Sequence, residues 1–352
     1  MSSRAESRDP EVDRNAVPPD SSTPLRSAQN DGLLMRFCHA RRRPCSPKLA
    51  LVSLLLVAPQ LAFAGLDRYR SLVRADAQPT RGNSIRVTYL GVNGYQLEAG
   101  DRALLIDPYF TRTNLSSVAL QRPLQSNATL VAEGLKHVRP RIDAVLVTHG
   151  HFDHLLDAPL VMARTGAKLI TGETAVESAV AVGAPRNRCT PVRAGRSLSI
   201  GPWKIRVLPA AHDRLFGKVP YPNPRGPGKP QRPRDWVIGE PLAFLIEANG
   251  RRIYIDSGGR PELLPALANT TIDLAILSVA LPDSRKRYAA TVRKLTPRFI
   301  LPSHQDNFFA PFARGFTFAP LSDFGAVRRT HAQQKLLGEL ILLDYFRPWT
   351  IP

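Results

Sequence analysis

Thr148-His149-Gly150-His151-Phe152-Asp153-His154 gathers three of the chain's eight histidines and an aspartate into seven positions. The segment directly follows Ala144-Val145-Leu146-Val147, a short apolar run enriched in β-branched residues, which reads as a buried strand. Where a strand ends, side chains i and i+2 point the same way, so His149 and His151 can offer two imidazoles to one cation. Asp153 and His154 come where Leu155-Leu156 starts a predicted helix, and they can face a second cation beside the first. Imidazole and carboxylate suit Zn2+ and also Fe or Mn, so the pattern constrains the site more tightly than the metal.

The chain's 352 residues suffice for one large domain or two small ones, and its 43% hydrophobic content suffices for a core, although 32 prolines imply many loops. Residues 1–34 are rich in Ser, Asp, Arg and Pro without apolar periodicity and read as disordered, or as a mis-annotated start ahead of Met35. Residues 35–64 have the layout of a signal peptide: Arg41-Arg42-Arg43 and Lys48, an apolar stretch from Leu49, then Ala62-Phe63-Ala64-Gly65 as a small-x-small cleavage site. The apolar stretch is short for a membrane span and is interrupted by Pro59 and Gln60. Export to the periplasm or outside is therefore expected, with an N-terminal membrane anchor as the alternative. Residues 65–83 read as a linker and 84–352 as the domain that carries the chemistry. Cys38 and Cys45 would leave with the signal, so Cys189 alone would remain and no intramolecular disulfide is expected. The full chain carries +19; segment 1–64, with nine basic and six acidic residues, takes away three of these and leaves +16. Such a charge favours anionic partners, including an anionic membrane surface or phosphorylated molecules, or else reflects a solvated basic surface.

Three more candidates stand where apolar runs end. His212 follows Trp203–Ala211, His304 follows Phe299-Ile300-Leu301-Pro302-Ser303, and Asp256 closes Arg252-Ile253-Tyr254-Ile255 ahead of two glycines. Strands are predicted near 85–91, 94–99, 103–107, 143–148, 203–209, 242–248, 252–256, 273–279 and 298–302, with a closing strand at 340–345 and a tail from Arg347. Helices are predicted near 156–165, 173–182 and 286–295.

With its HxHxDH motif, His212, the Ile255-Asp256-Ser257-Gly258-Gly259 segment, His304 and the Leu104-Leu105-Ile106-Asp107-Pro108 segment, the chain resembles the metallo-β-lactamase superfamily over roughly residues 84–345. The resemblance implies an α/β fold, an αββα four-layer sandwich with metals at one edge of two facing sheets. It also implies two divalent ions: one held by His149, His151 and His212, the other by Asp153, His154 and His304, with Asp256 bridging and Asp107 supporting the site from behind. The chemistry implied is that of a metal-dependent hydrolase using a metal-bridging hydroxide, which Asp153 helps to orient. Retention of the bridging aspartate looks unlike true zinc β-lactamases and more like the phosphodiesterase, lactonase and thioesterase branches. The wording around the sites is most similar to the branch holding N-acylphosphatidylethanolamine phospholipase D and ascorbate-6-phosphate lactonase. Those relatives usually carry a histidine after the upstream Leu-Gly, whereas here Leu90-Gly91 is followed by Val92-Asn93.

Two segments bear on substrate. Residues 214–235 form a Pro- and Gly-rich stretch with Arg214, Lys218, Arg225, Lys229, Arg232 and Arg234, able to hold an acidic headgroup or to lie solvated. After His304, Phe308, Phe309, Phe312, Phe316, Phe318 and Phe324 crowd into seventeen residues of a predicted loop, as core or, at Phe308 and Phe312, as the wall of an acyl pocket. A small-molecule or lipid-like anionic ester, phosphodiester or lactone is the expected substrate. A secreted nuclease is the rival enzyme class; it lacks the regular basic–aromatic interleaving of single-strand grooves, so a nucleic-acid partner is not expected. A metal-stabilised envelope protein without turnover is the non-enzymatic alternative.

Overall fold

The computed structural model describes residues 65–76, 84–258, 261–264 and 271–352. The expected disordered start and signal peptide, 1–64, lie outside the described residues. Among the described residues no helix is long and apolar enough to cross a membrane.

Two seven-stranded mixed sheets make up the domain. The first takes Ile85–Gly91 (β1), Gly94–Ala99 (β2), Arg102–Ile106 (β3), Ile142–Leu146 (β4), Lys168–Thr171 (β5) and Cys189–Pro191 (β6). The second takes Ser197–Ile200 (β7), Trp203–Pro209 (β8), Leu242–Ala248 (β9), Arg251–Ile255 (β10), Leu274–Ser278 (β11), Phe299–Ser303 (β12) and Glu339–Leu340 (β13). The last strand of the chain, Trp349–Thr350 (β14), returns to the first sheet and pairs antiparallel with β1.

Alternation of side chains sorts the apolar residues into two cores. On β3 and β4, Leu104, Ile106, Ala144 and Leu146 join the core that includes Ile205, Phe244, Ile255 and Ile276 of the second sheet. Their neighbours Leu105, Val145 and Val147 face the other way and pack with Val161, Met162, Ala175 and Ala179 of two helices, Ala158–Thr165 and Glu173–Ala181. Strands buried on both faces explain why their sequences are continuous apolar runs. These layers are those of the expected αββα sandwich.

Strand direction places the site. β3, β4 and β5 run parallel, as do β10, β11 and β12. β8 pairs antiparallel with β9, and β9 with β10, so β8 and β10 share one direction. Asp107, Thr148, His212, Asp256 and His304 all follow the C-terminal ends of these strands. The two sheets are joined near this edge by the bond from the Leu242 amide to the Thr148 carbonyl, 2.8 Å.

Asp306 forms a second connection. It accepts from Tyr89 Oη at 2.9 Å, from the Val92 amide at 2.9 Å and from Tyr345 Oη at 2.6 Å, and it pairs with Arg112 at 2.8 Å. Both members of the ion pair are buried. The cluster ties the chain beyond β12 to the β1–β2 turn of the opposite sheet.

Several elements differ from expectation. The stretch 65–83 is not wholly a linker, because Leu66–Leu72 forms a 3-10 helix whose Tyr69 is buried edge-on against Phe318 and Phe324. The closing strand shrinks to Glu339–Leu340, with single bridges at Leu342 and Tyr345, and the expected tail supplies β14 instead. Phe324, expected in a loop, opens the helix Phe324–Gln333, which Asp323 caps by accepting from the Ala326 amide. Three short strands, β5, β6 and β7, offer too few residues for a visible period.

Removing the Asp306 carboxylate strands a buried guanidinium. Asp306→Ala should therefore cost about 3–5 kcal/mol, measured as a lowered midpoint in urea denaturation with an unchanged m-value.

Candidate metal centre

Six of the seven expected metal ligands fall into two groups at the shared sheet edge. His149, His151 and His212 make one; Asp153, His154 and His304 make the other, and within each group the candidate ligand atoms lie within 4.8 Å of one another. Gly150 permits the first approach, because a Cβ there would stand 2.3 Å from the Val237 carbonyl oxygen. The short helix Phe152–Leu155 then turns Asp153 and His154 inward.

Hydrogen-bond accounting fixes which nitrogen of each ring is free. The Thr148 hydroxyl donates to Asp107 Oδ2 at 2.7 Å, so its own oxygen can only accept from His149 Nδ1, 3.1 Å away. His149 therefore turns an unprotonated Nε2 toward the centre. The Pro220 carbonyl takes the proton of His151 Nε2 at 3.1 Å, which leaves Nδ1 bare. The Asp213 carbonyl does the same for His212 Nδ1 at 2.7 Å, and Asp107 Oδ2 for His154 Nδ1 at 2.8 Å. His149 Nε2 and His151 Nδ1 face each other at 3.0 Å, two lone pairs that repel unless a cation shares them. His154 Nε2 is buried without a hydrogen-bond partner among the described residues, and His304 Nε2 faces Asp153 at 3.2 Å. These donors fit divalent cations bound through nitrogen and carboxylate.

The electrostatics agree. Burial, reinforced by neighbouring imidazoles, pushes His149 and His151 well below the usual histidine value, and burial carries His212 down to about 4. Burial also opposes ionisation of Asp153, but His154, His304 and His151 overcome it and hold the carboxyl well below its ordinary range. His304 moves upward: burial disfavours its charge, but Asp153, 3.2 Å away, outweighs that.

Asp256 belongs to neither group. Its carboxylate accepts from Tyr254 Oη at 2.8 Å, from the Gly258 amide at 3.3 Å and from the Ser278 amide at 3.5 Å. Asp107 lies beside the second group and accepts from both the Thr148 hydroxyl and His154 Nδ1. Asn93, at the departure from the upstream motif, bridges Asp107 Oδ2 and the Ser303 hydroxyl, each at 2.8 Å. Arg214 and Lys218 are exposed on a tight turn closed by Leu215–Lys218 backbone bonds, between His212 and Pro220.

The phenylalanine segment splits. Phe316, Phe318 and Phe324 are core, the first of the two expected readings. Phe308 lies edge-on to His304 with centroids 5.4 Å apart. Phe312 sits elsewhere, under the Arg112 guanidinium, and lines a cavity of about 230 Å³ with Phe110, Gly134, His137 and Phe346 that contains none of the site histidines. The Arg112 stacking and the turn Phe312–Arg314 carry it away from the expected pocket.

Sequence reasoning missed Thr148, Pro220 and Tyr221. Pro220 acts through its main-chain carbonyl, which no residue type signals, whereas the Thr148 hydroxyl was visible at the head of the motif.

Residues 102–299 match the model of the beta-lactamase superfamily domain, more than half of the chain, and the chain belongs to that superfamily. It is 28% identical over 244 residues to a UPF0173 metal-dependent hydrolase of Anaeromyxobacter dehalogenans, covering 66% of this chain and 79% of the relative. A UPF0173 metal-dependent hydrolase of Pelotomaculum thermopropionicum is 28% identical over 226 residues, 62% of this chain and 84% of the relative. Among solved structures, the metallo hydrolase Igni18 of Ignicoccus hospitalis superposes with a TM-score of 0.54 at 17% identity, over 76% of this chain and 99% of its own; it attests the fold.

Two predictions follow from the proton accounting. Thr148→Val keeps the shape but breaks the Asp107–Thr148–His149 relay, and should weaken zinc affinity about 10–100-fold, read by chelator competition. Protons compete with metal only below a ligand's own pKa, so the two groups should separate on acidification. With His304 raised, the Asp153–His154–His304 group should shed zinc first as pH falls. The His149–His151–His212 group should hold it until pH nears about 4. Elemental analysis after dialysis across that range, with circular dichroism to confirm folding, checks the order.

Proposed function

We propose that this metal-dependent hydrolase works as a dinuclear enzyme on an anionic ester, phosphodiester or lactone, one bearing an apolar chain. The observation that carries the reading is the pair of adjoining ligand groups whose ring tautomers leave bare nitrogens aimed inward. His149, His151 and His212 would hold one divalent cation, and Asp153, His154 and His304 the other; zinc suits the donors, as do iron and manganese. Asp256 is retained as a candidate bridging residue, held in place by Tyr254. When bound, two such cations acidify water and neutralise charge that develops on the substrate.

The chain's own residues supply the rest. Asp107 holds His154 and, through Thr148, His149 in single orientations. Asp153 stays ionised and, within 3.2 Å of His304 Nε2, is placed to orient a water. Segment 214–235 carries six cations against one acid and touches the site through Pro220, which supports an anionic headgroup at that side. Phe308 beside His304 supports an apolar wall on the other. The same charge supports peripheral contact with an anionic membrane surface, and residues 35–64 support export.

The test is zinc-loaded protein on a panel of bis-p-nitrophenyl phosphate, p-nitrophenyl esters of two and twelve carbons, a lactone and plasmid DNA. Turnover of the small esters with intact plasmid is expected, and His149→Ala should lower kcat/KM by roughly 10³-fold or more. Plasmid cleavage alone would establish the nuclease instead. Phe308→Ala should depress the twelve-carbon ester far more than the two-carbon one, while Phe312→Ala, in its separate cavity, should treat both alike.

A further inference from the structure

The hydrogen bond from His151 to the Pro220 carbonyl brings the next residue, Tyr221, to the edge of the centre. Its ring stands perpendicular to that of His151, centroids 5.8 Å apart. Tyr221 adopts φ +42°, a left-handed conformation unfavourable for a bulky side chain, and its carbonyl is pinned by the Ile238 amide at 3.2 Å. Gln121, which meets its hydroxyl, is likewise left-handed at φ +53°.

The Gln121 amide can be oriented without ambiguity. The Arg234 amide donates to Oε1 at 3.0 Å, so the other terminus is the nitrogen. That nitrogen donates to the Val118 carbonyl at 3.0 Å and to Tyr221 Oη at 3.2 Å. An amide nitrogen only donates, so the phenol oxygen is here an acceptor and its own proton is unspent. Among the described residues no acceptor lies within reach of it. A phenol keeps its proton at neutral pH. A half-buried donor with a fixed oxygen and a free proton, beside clustered ligands, has the layout of an oxyanion donor.

We propose that Tyr221 is a further catalytic residue, whose O–H donates a hydrogen bond to the anionic oxygen of the substrate at the His151 side of the centre and keeps its proton throughout. The proposal rests on the hydrolase reading given above. Gln121 is its positioning residue: by donating to the phenol oxygen it turns the O–H outward, toward substrate.

The experiment uses full-length, zinc-loaded protein. Tyr221→Phe removes one oxygen and leaves the ring packing. On the best ester of the panel, kcat should fall about 10²–10³-fold, with KM raised and zinc content little changed. Gln121→Glu should lower kcat comparably although the phenol remains, because a carboxylate there accepts the proton that substrate needs. A merely structural tyrosine would tolerate Phe, and a fall in kcat below tenfold at equal zinc content overturns the proposal. Inorganic phosphate binding, followed by titration calorimetry, gives a readout without turnover. Affinity at least tenfold weaker in Tyr221→Phe supports the donor, and an unchanged affinity overturns it. A parent protein inert on the whole panel, but with phosphate binding weakened by Tyr221→Phe, would sink the hydrolase reading while leaving the donor in place.

Discussion

Asp107 accepts four hydrogen bonds on two oxygens, and the order of the site descends from them. Oδ1 takes the Thr148 amide; Oδ2 takes the Thr148 hydroxyl, Asn93 Nδ2 and His154 Nδ1. Through these contacts one buried carboxylate sets where the histidine motif leaves β4, which nitrogen His149 exposes and how His154 is turned. Asp107 itself holds φ +41°, a conformation that aspartate tolerates better than most residues. Its backbone amide bonds to the Leu146 carbonyl at 2.9 Å, so the distortion is supported by the parallel pairing of β3 and β4.

The second sheet answers with a counterpart. His304 also sits in the left-handed region, φ +56°, at the end of β12, and its amide is held by the Val92 carbonyl at 2.8 Å. Two residues on, Asp306 gathers Arg112, Tyr89 and Tyr345 beneath it. The histidine of one sheet thus depends on the turn of the other, and the edge where the sheets meet is a shared construction. Local strain of this kind, over-determined by its surroundings, is characteristic of functional sites.

Much of this was legible in the sequence, for a physical reason. Strands buried on both faces leave long apolar runs, and the polar residue that ends each run marks the edge where the candidate groups gather; His212 and His304 were readable in that way. The layers followed from the resemblance and are borne out by the sheets. What escaped was carried by the main chain or by tertiary contact. The Pro220 carbonyl has no residue signature, and the diversion of Phe312 depends on Arg112, two hundred positions earlier. The short strands β5 to β7 and β14 are defined by their partners more than by any period of their own.

The support that His151 draws from Pro220 has a bearing on how such a fold diversifies. On the proposed reading, the stretch that faces the substrate also carries one of the supports of the candidate metal centre, the Pro220 carbonyl on His151. Under that proposal, recognition and ligand geometry are not separate modules. A transplanted loop that failed to return a carbonyl to that ring would lose tautomer control of His151 before it could gain a new preference.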